Sequence, residues 1–179
     1  MVIKEEIEIL NNFKKKHPWS GTYCQKKIKF KKLLTELCEL HGIEVPKLLI
    51  PSKKFEWTKK RHGDCTYQSK RIRIRNFSVI TLLHEFRHWL DFCKFPTLIQ
   101  RKEKKKIEWR ANYYSSRLFY TVWPERIKIF KRLAKNNQFI KNSTKLKRLR
   151  ISYKNNANLK SSSRAGMCAL VDVLLDEKC

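Results

Sequence analysis

The stretch TLLHEFRHWLDF, residues 81–92, places His84 and His88 four positions apart, with Glu85 directly after the first. On an α-helix, residues four apart project from the same side, about one turn from each other. Two imidazoles so placed can bind one tetrahedral metal ion. The adjacent carboxylate can then reach a metal-activated water without being a ligand itself. The competing account is a core helix that happens to be rich in histidine. Val79, Leu83, Phe86, Leu90 and Cys93 recur at helical spacing and predict an apolar stripe. His84, His88 and Asp91 lie one position over, at the edge of that core.

Zinc needs a third protein ligand. No histidine follows His88, which leaves Asp91, Glu103, Glu108, Glu125, Asp172, Asp176 and Glu177. The same absence excludes the metzincin pattern and the usual SprT-like pattern, whose third ligand is a downstream histidine. Asp91 shares the helix with both histidines, where three ligands have poor angular spread around an ion. Glu103 lies in RKEKKK, where a solvated carboxylate is expected. Glu108 is different. It begins a helix whose stripe is Ile107, Ala111, Tyr114 and Leu118, and it stands at that stripe's edge, as the histidines do at theirs. Asn112, one turn later, is placed to hold the second ring nitrogen of His84.

HEFRH followed by EWRAN, with Glu108 twenty residues beyond His88, resembles the gluzincin metallopeptidases, which read HExxH and then a helix bearing ExxA[DN]. The likeness is nearest to the compact minigluzincins and the ImmA/IrrE-like peptidases, and covers roughly residues 64–123. This chain has Phe86 and Arg87 where the family usually has Gly or Ala between the glutamate and the second histidine. The resemblance implies one zinc ion held by His84, His88 and Glu108. It also implies Glu85 as general base and a peptide or protein substrate that is hydrolysed. Tyr113, Tyr114 and His62 are candidate donors to the transition state, although packing tyrosines and a turn histidine are the better account of each. The alternating RIRIR, residues 71–75, resembles the family's edge strand that pairs with substrate. A sheet edge protected by charge is the other account.

Elements must position these residues. Ile3, Ile7, Leu10 and Phe13 predict a first helix, and Phe30, Leu33, Leu34, Leu37 and Cys38 a second, stopped near His41 by Gly42. PKLLIP, DCTYQ and RIRIR predict short strands, with Ile72 and Ile74 facing the core. The metal helix should begin at an N-cap near Asn76 or Ser78. A loop, KFPTLIQRKEKKK, leads to the Glu108 helix, which stops at Pro124, and a further helix is expected from there. The fold class is therefore α+β: a small antiparallel or mixed sheet packed on the metal helix and on the glutamate-bearing helix, with further helices at both ends. By the resemblance it is zincin-like. The expected organisation is a metallopeptidase domain at 1–135, with its core at 64–123, and a basic extension at 136–179.

Composition bounds the partners. The 179 residues carry 42 Lys and Arg against 16 Asp and Glu, a formal charge of +26. Such a field favours polyanions. Residues 126–164 hold thirteen Lys or Arg and no acid, with interleaved Phe139, Leu146, Leu149 and Tyr153. This supports nucleic-acid binding there, and it supports a second functional class, a basic nucleic-acid-binding protein whose HExxH is structural or incidental. The N-terminal MVIKEEIEILNNF lacks a secretory pattern, and no stretch is long and apolar enough to span a membrane. Six cysteines form no CxxC pair and are expected as reduced thiols, mostly in the core of a cytoplasmic protein. A final apolar helix at 165–177, with Asp172, Asp176, Glu177 and Cys179, either completes the core or occupies the cleft as an inhibitor.

Overall fold

A computed structural model describes residues 3–51, 62–97, 104–126, 151, 154–155, 165–169 and 171. The protein is α+β and comprises two compact units, Met1–Glu103 and Lys104–Cys179. The expected boundary at 135/136, the helix expected after Arg126, and nearly all of the basic 126–164 segment lie outside the described residues.

In the first unit, helix α1 spans Ile3–Lys15 and α2 spans Tyr23–Leu40. A capping box starts α2: the Gln25 amide donates to Thr22 Oγ1 (3.3 Å), and the Thr22 amide donates to Gln25 Oε1 (2.8 Å). The stripe Phe30, Leu33, Leu34, Leu37 and Cys38 is buried throughout. Gly42 ends the helix at φ +60°. There the Ile43 amide bonds the Cys38 carbonyl and the Gly42 amide bonds that of Glu39, both at 3.0 Å. This is a Schellman closure, which glycine adopts at no steric cost. Phe13, Phe30 and Phe77 meet edge to face, at 5.4 and 5.3 Å, tying both helices to the segment before the next one.

Three strands follow: β1 (Lys47–Leu49), β2 (Gly63–Thr66) and β3 (Arg71–Ile74). Their order is β1-β3-β2, with β1 parallel and β2 antiparallel to β3. The sheet is thus mixed, and RIRIR is its central described strand. The expectation of an edge strand at 71–75 is corrected, because β3 bonds a neighbour on both sides. One of its arginines is used within the sheet: Arg73 faces Asp64 across the β2 register, and its Nε donates to Asp64 Oδ2 at 2.9 Å. Ile72 and Ile74 are fully buried, as their alternation predicts.

Helix α3 (Val79–Lys94) packs on β2 and β3. Ser78 is its N-cap, accepting from the Thr81 amide at 3.3 Å. Val79, Leu83, Phe86 and Leu90 are buried, joined by Leu82 and Trp89. Cys93 is exposed, against expectation. The final turn of α3 is covered differently: Tyr67, in the β2–β3 turn, stacks on Phe92 at 4.5 Å. Cys24 is exposed as well and Cys65 half-buried, so the expectation of mostly core cysteines is corrected: among the described residues only Cys38 and Cys168 are buried.

The second unit contains α4 (Lys104–Val122), a 3-10 turn at Pro124–Arg126 and helical residues at 165–169 and 171. The predicted stripe of α4 is half realised. Ala111 and Leu118 are buried with Ser115, Ser116 and Val122, whereas Ile107 and Tyr114 are half-buried. Ala165, Cys168, Ala169 and Val171 are buried. A Cβ at Gly166 would lie 3.3 Å from Ser116 Oγ, so small side chains set a close approach there. The described part of the final helix is a core element, while Asp172, Asp176, Glu177 and Cys179 lie outside the described residues. No described helix is long and apolar enough to cross a membrane.

Candidate metal centre

The capped start of α3 sets the phase of everything after it. Its apolar face enters the core, which brings His84 and His88 to the border of that core, His84 half-buried and His88 7% exposed. Their Nε2 atoms face each other at 3.0 Å, with the rings at 80°. For Zn–N bonds of 2.0–2.1 Å, tetrahedral geometry sets two nitrogens about 3.3 Å apart. The imidazoles therefore already stand at nearly the separation of a shared ion. His84, His88 and Glu108 each offer one ligand atom, and these atoms lie within 4.8 Å of one another, so the group could hold a metal ion.

Asp91, the rival ligand, is fully buried and is held by Arg87 Nη2 at 2.8 Å. A carboxylate in a buried ion pair is already neutralised, and withdrawing it to a metal would strand the guanidinium. This pair also accounts for Arg87, which reaches forward one turn along its own helix. Phe86 turns into the core against the His41 ring, 5.7 Å away. The two bulky residues between Glu85 and His88 are thus both engaged by the fold.

Glu85 is 6% exposed and lies on the side of α3 that meets β2. A Cβ on Gly63 would come within 2.8 Å of Glu85 Oε1. The Cys65 thiol, two residues on along β2, is pushed up by burial first and then by the charges of Glu85 and Asp64. Neither Gly63 nor Cys65 was singled out as a site residue by sequence reasoning. The available signal was an isolated glycine at a strand start, which often marks a close approach by another group. Beyond Cys65, a recess of about 440 Å³ is lined by Cys65, Thr66, Tyr67, Gln68 and Phe92.

The remaining candidates have local roles. The Asn112 amide donates to the Glu108 backbone carbonyl at 2.7 Å, an intrahelical bond in place of the imidazole bond expected from spacing. An amide one turn after a carbonyl on the same helix meets it at little entropic cost. Tyr113 stacks flat on Trp109 at 5.1 Å, Tyr114 is half-buried, and His62 is exposed, its carbonyl bonded to the Arg75 amide at 2.8 Å. Compared with known proteins, the chain matches no family model, no curated protein and no solved structure.

Proposed function

We propose that this protein is a zinc-dependent peptidase of the gluzincin type, with a zincin-like fold, in which His84, His88 and Glu108 hold one zinc ion and Glu85 moves the proton. One observation carries the reading: the ligand atoms of three well-suited side chains lie within 4.8 Å of one another, and a buried carboxylate directly follows the first of them. Two imidazoles and a carboxylate form a catalytic donor set, which keeps a coordination position open. A bound zinc ion would lower the pKa of a water towards neutrality and polarise a carbonyl. Glu85 takes the proton of the attacking water on a carboxylate oxygen as that water adds to the peptide carbonyl. The same oxygen then delivers the proton to the amide nitrogen, which leaves as an amine. His84 and His88 serve as ligands only in the neutral tautomers that leave each Nε2 free to donate its lone pair.

The test is metal content together with hydrolysis of fluorescent casein. Wild type should carry about one zinc, lost in His84→Ala, His88→Ala and Glu108→Ala. Glu85→Gln should keep the metal and lose about 10²- to 10⁴-fold in rate, the usual contribution of a general base. A metal-free wild type, or a fully active Glu85→Gln, overturns the reading.

The charge of +26 supports a second activity, sequence-independent nucleic-acid binding through residues 126–164. The two readings are compatible, since such a segment would bring a peptidase to nucleic-acid-bound proteins. If binding is found and Glu85→Gln changes nothing, the protein is a basic binding module.

A further inference from the structure

Gly63 starts β2, in register with the buried Ile74 of β3, so this face of the strand is turned to α3. Its place is fixed by the neighbouring strand: β2 pairs with β3, and the preceding carbonyl, of His62, accepts the amide of Arg75, directly after β3, at 2.8 Å. Opposite it, one α3 turn offers Thr81 and Glu85. A Cβ at position 63 would lie 2.8 Å from Glu85 Oε1, 2.9 Å from Glu85 Cγ and 2.8 Å from Thr81 Cγ2. The two separations to carbon are well inside the 3.5–4.0 Å optimum for carbon contacts, and the carboxylate oxygen is equally crowded. The Glu85 side chain thus rests on bare backbone along its length, from methylene to carboxylate. Gly63 has no left-handed φ, so space alone explains the glycine.

We propose that Gly63 is the positioning residue of the general base: it leaves the floor on which the Glu85 carboxylate lies and so sets where that carboxylate points. The inference rests on the peptidase reading, because it concerns the aim of Glu85. A methyl group here pushes on two neighbours of unequal compliance. Thr81 is β-branched, stiff at χ1, and its hydroxyl is tied to Ser78 Oγ at 2.9 Å. Glu85 has three rotatable bonds and yields first. The fold therefore survives the substitution, while the carboxylate is displaced by about the amount by which the contact is short.

The experiment compares wild type, Gly63→Ala, Thr81→Ser and the double variant Gly63→Ala/Thr81→Ser, all as full chains. Each is measured for zinc content, thermal unfolding, and kcat and KM on fluorescent casein. Thr81→Ser removes the clashing methyl but keeps the hydroxyl bonded to Ser78, so the double variant folds with only the Glu85 contact crowded. Gly63→Ala and the double variant should keep one zinc and wild-type KM while kcat falls about 100-fold, the usual effect of a 1 Å misplacement at a reacting group. Thr81→Ser alone should match wild type. Wild-type kcat in either alanine variant overturns the proposal, as does zinc loss in the double variant, which would make Gly63 a support of the ligands instead. A wild type with neither zinc nor activity fails at the level of the peptidase reading, before Gly63 is reached.

Discussion

Replacing His41 with leucine should be among the most damaging single changes in the first unit. His41 caps the C-terminus of α2, and its Nε2 meets Glu6 Oε1 of α1 at 2.7 Å, with side chains 7% and 2% exposed. Removing the imidazole leaves a carboxylate enclosed beside an apolar group, and breaking a buried pair in this way costs about 3–5 kcal/mol. Glu6→Leu strands a group that can rest neutral, so its cost should be smaller, about 1–3 kcal/mol for one unsatisfied polar group. The double leucine variant buries apolar atoms in both places and should fall within about 1 kcal/mol of wild type, because a buried pair and an apolar replacement of similar volume are often equivalent. The cycle then has a coupling of about 3–9 kcal/mol, the sum of the single costs less the residual of the double. Urea unfolding at pH 7, followed by far-UV circular dichroism, measures all four proteins. Single costs below about 1 kcal/mol that simply add in the double variant would refute the reasoning, because they would mean that the pair is solvated.

Burial pushes the Cys38 thiol from 9.0 up to about 12, while in the unfolded chain it ionises near its ordinary value. The folded state therefore keeps a proton that the unfolded state releases, so its stability is fully present below pH 9 and falls above it. The loss is about 1.4 kcal/mol per pH unit for this thiol. Urea midpoints at pH 8, 9 and 10 should fall less steeply in Cys38→Ala; parallel slopes would sink the idea. Asp91→Asn should cost about 3 kcal/mol by breaking its buried pair with Arg87 while keeping zinc, and zinc loss in that variant would make Asp91 a ligand. Changing Lys145, Lys147, Arg148 and Arg150 to glutamine should weaken duplex DNA binding and reduce the log–log salt slope by up to about 3.6, at roughly 0.9 per phosphate contact. An unchanged slope would place the nucleic-acid contacts elsewhere.

Much of the architecture is local and could be read in the sequence. The stripe of α2, its glycine stop, the Ser78 cap and the alternation that buries Ile72 and Ile74 each depend on neighbours within a few residues. The same holds for the His84 and His88 pair, since four residues of helix bring two imidazoles together wherever that helix sits. The Arg87–Asp91 pair has this spacing too and is legible in the same way. Other features were settled by tertiary structure alone. The alternation of RIRIR is identical in an edge strand and a central one; only pairing with Lys47–Leu49 and Gly63–Thr66 made it central. Glu6 is in helical phase with the buried Leu10 and Phe13, so its place on the inner face of α1 is local, but its partner His41 lies 35 residues away and only packing brings it there. Gly63 gained its meaning from Glu85, 22 residues later in the chain. Spacing encodes which side chains share a face, because helix and strand geometry repeat over a few residues. Which faces then meet is decided by chain closure and packing among distant segments, and there an absent side chain matters as much as a present one.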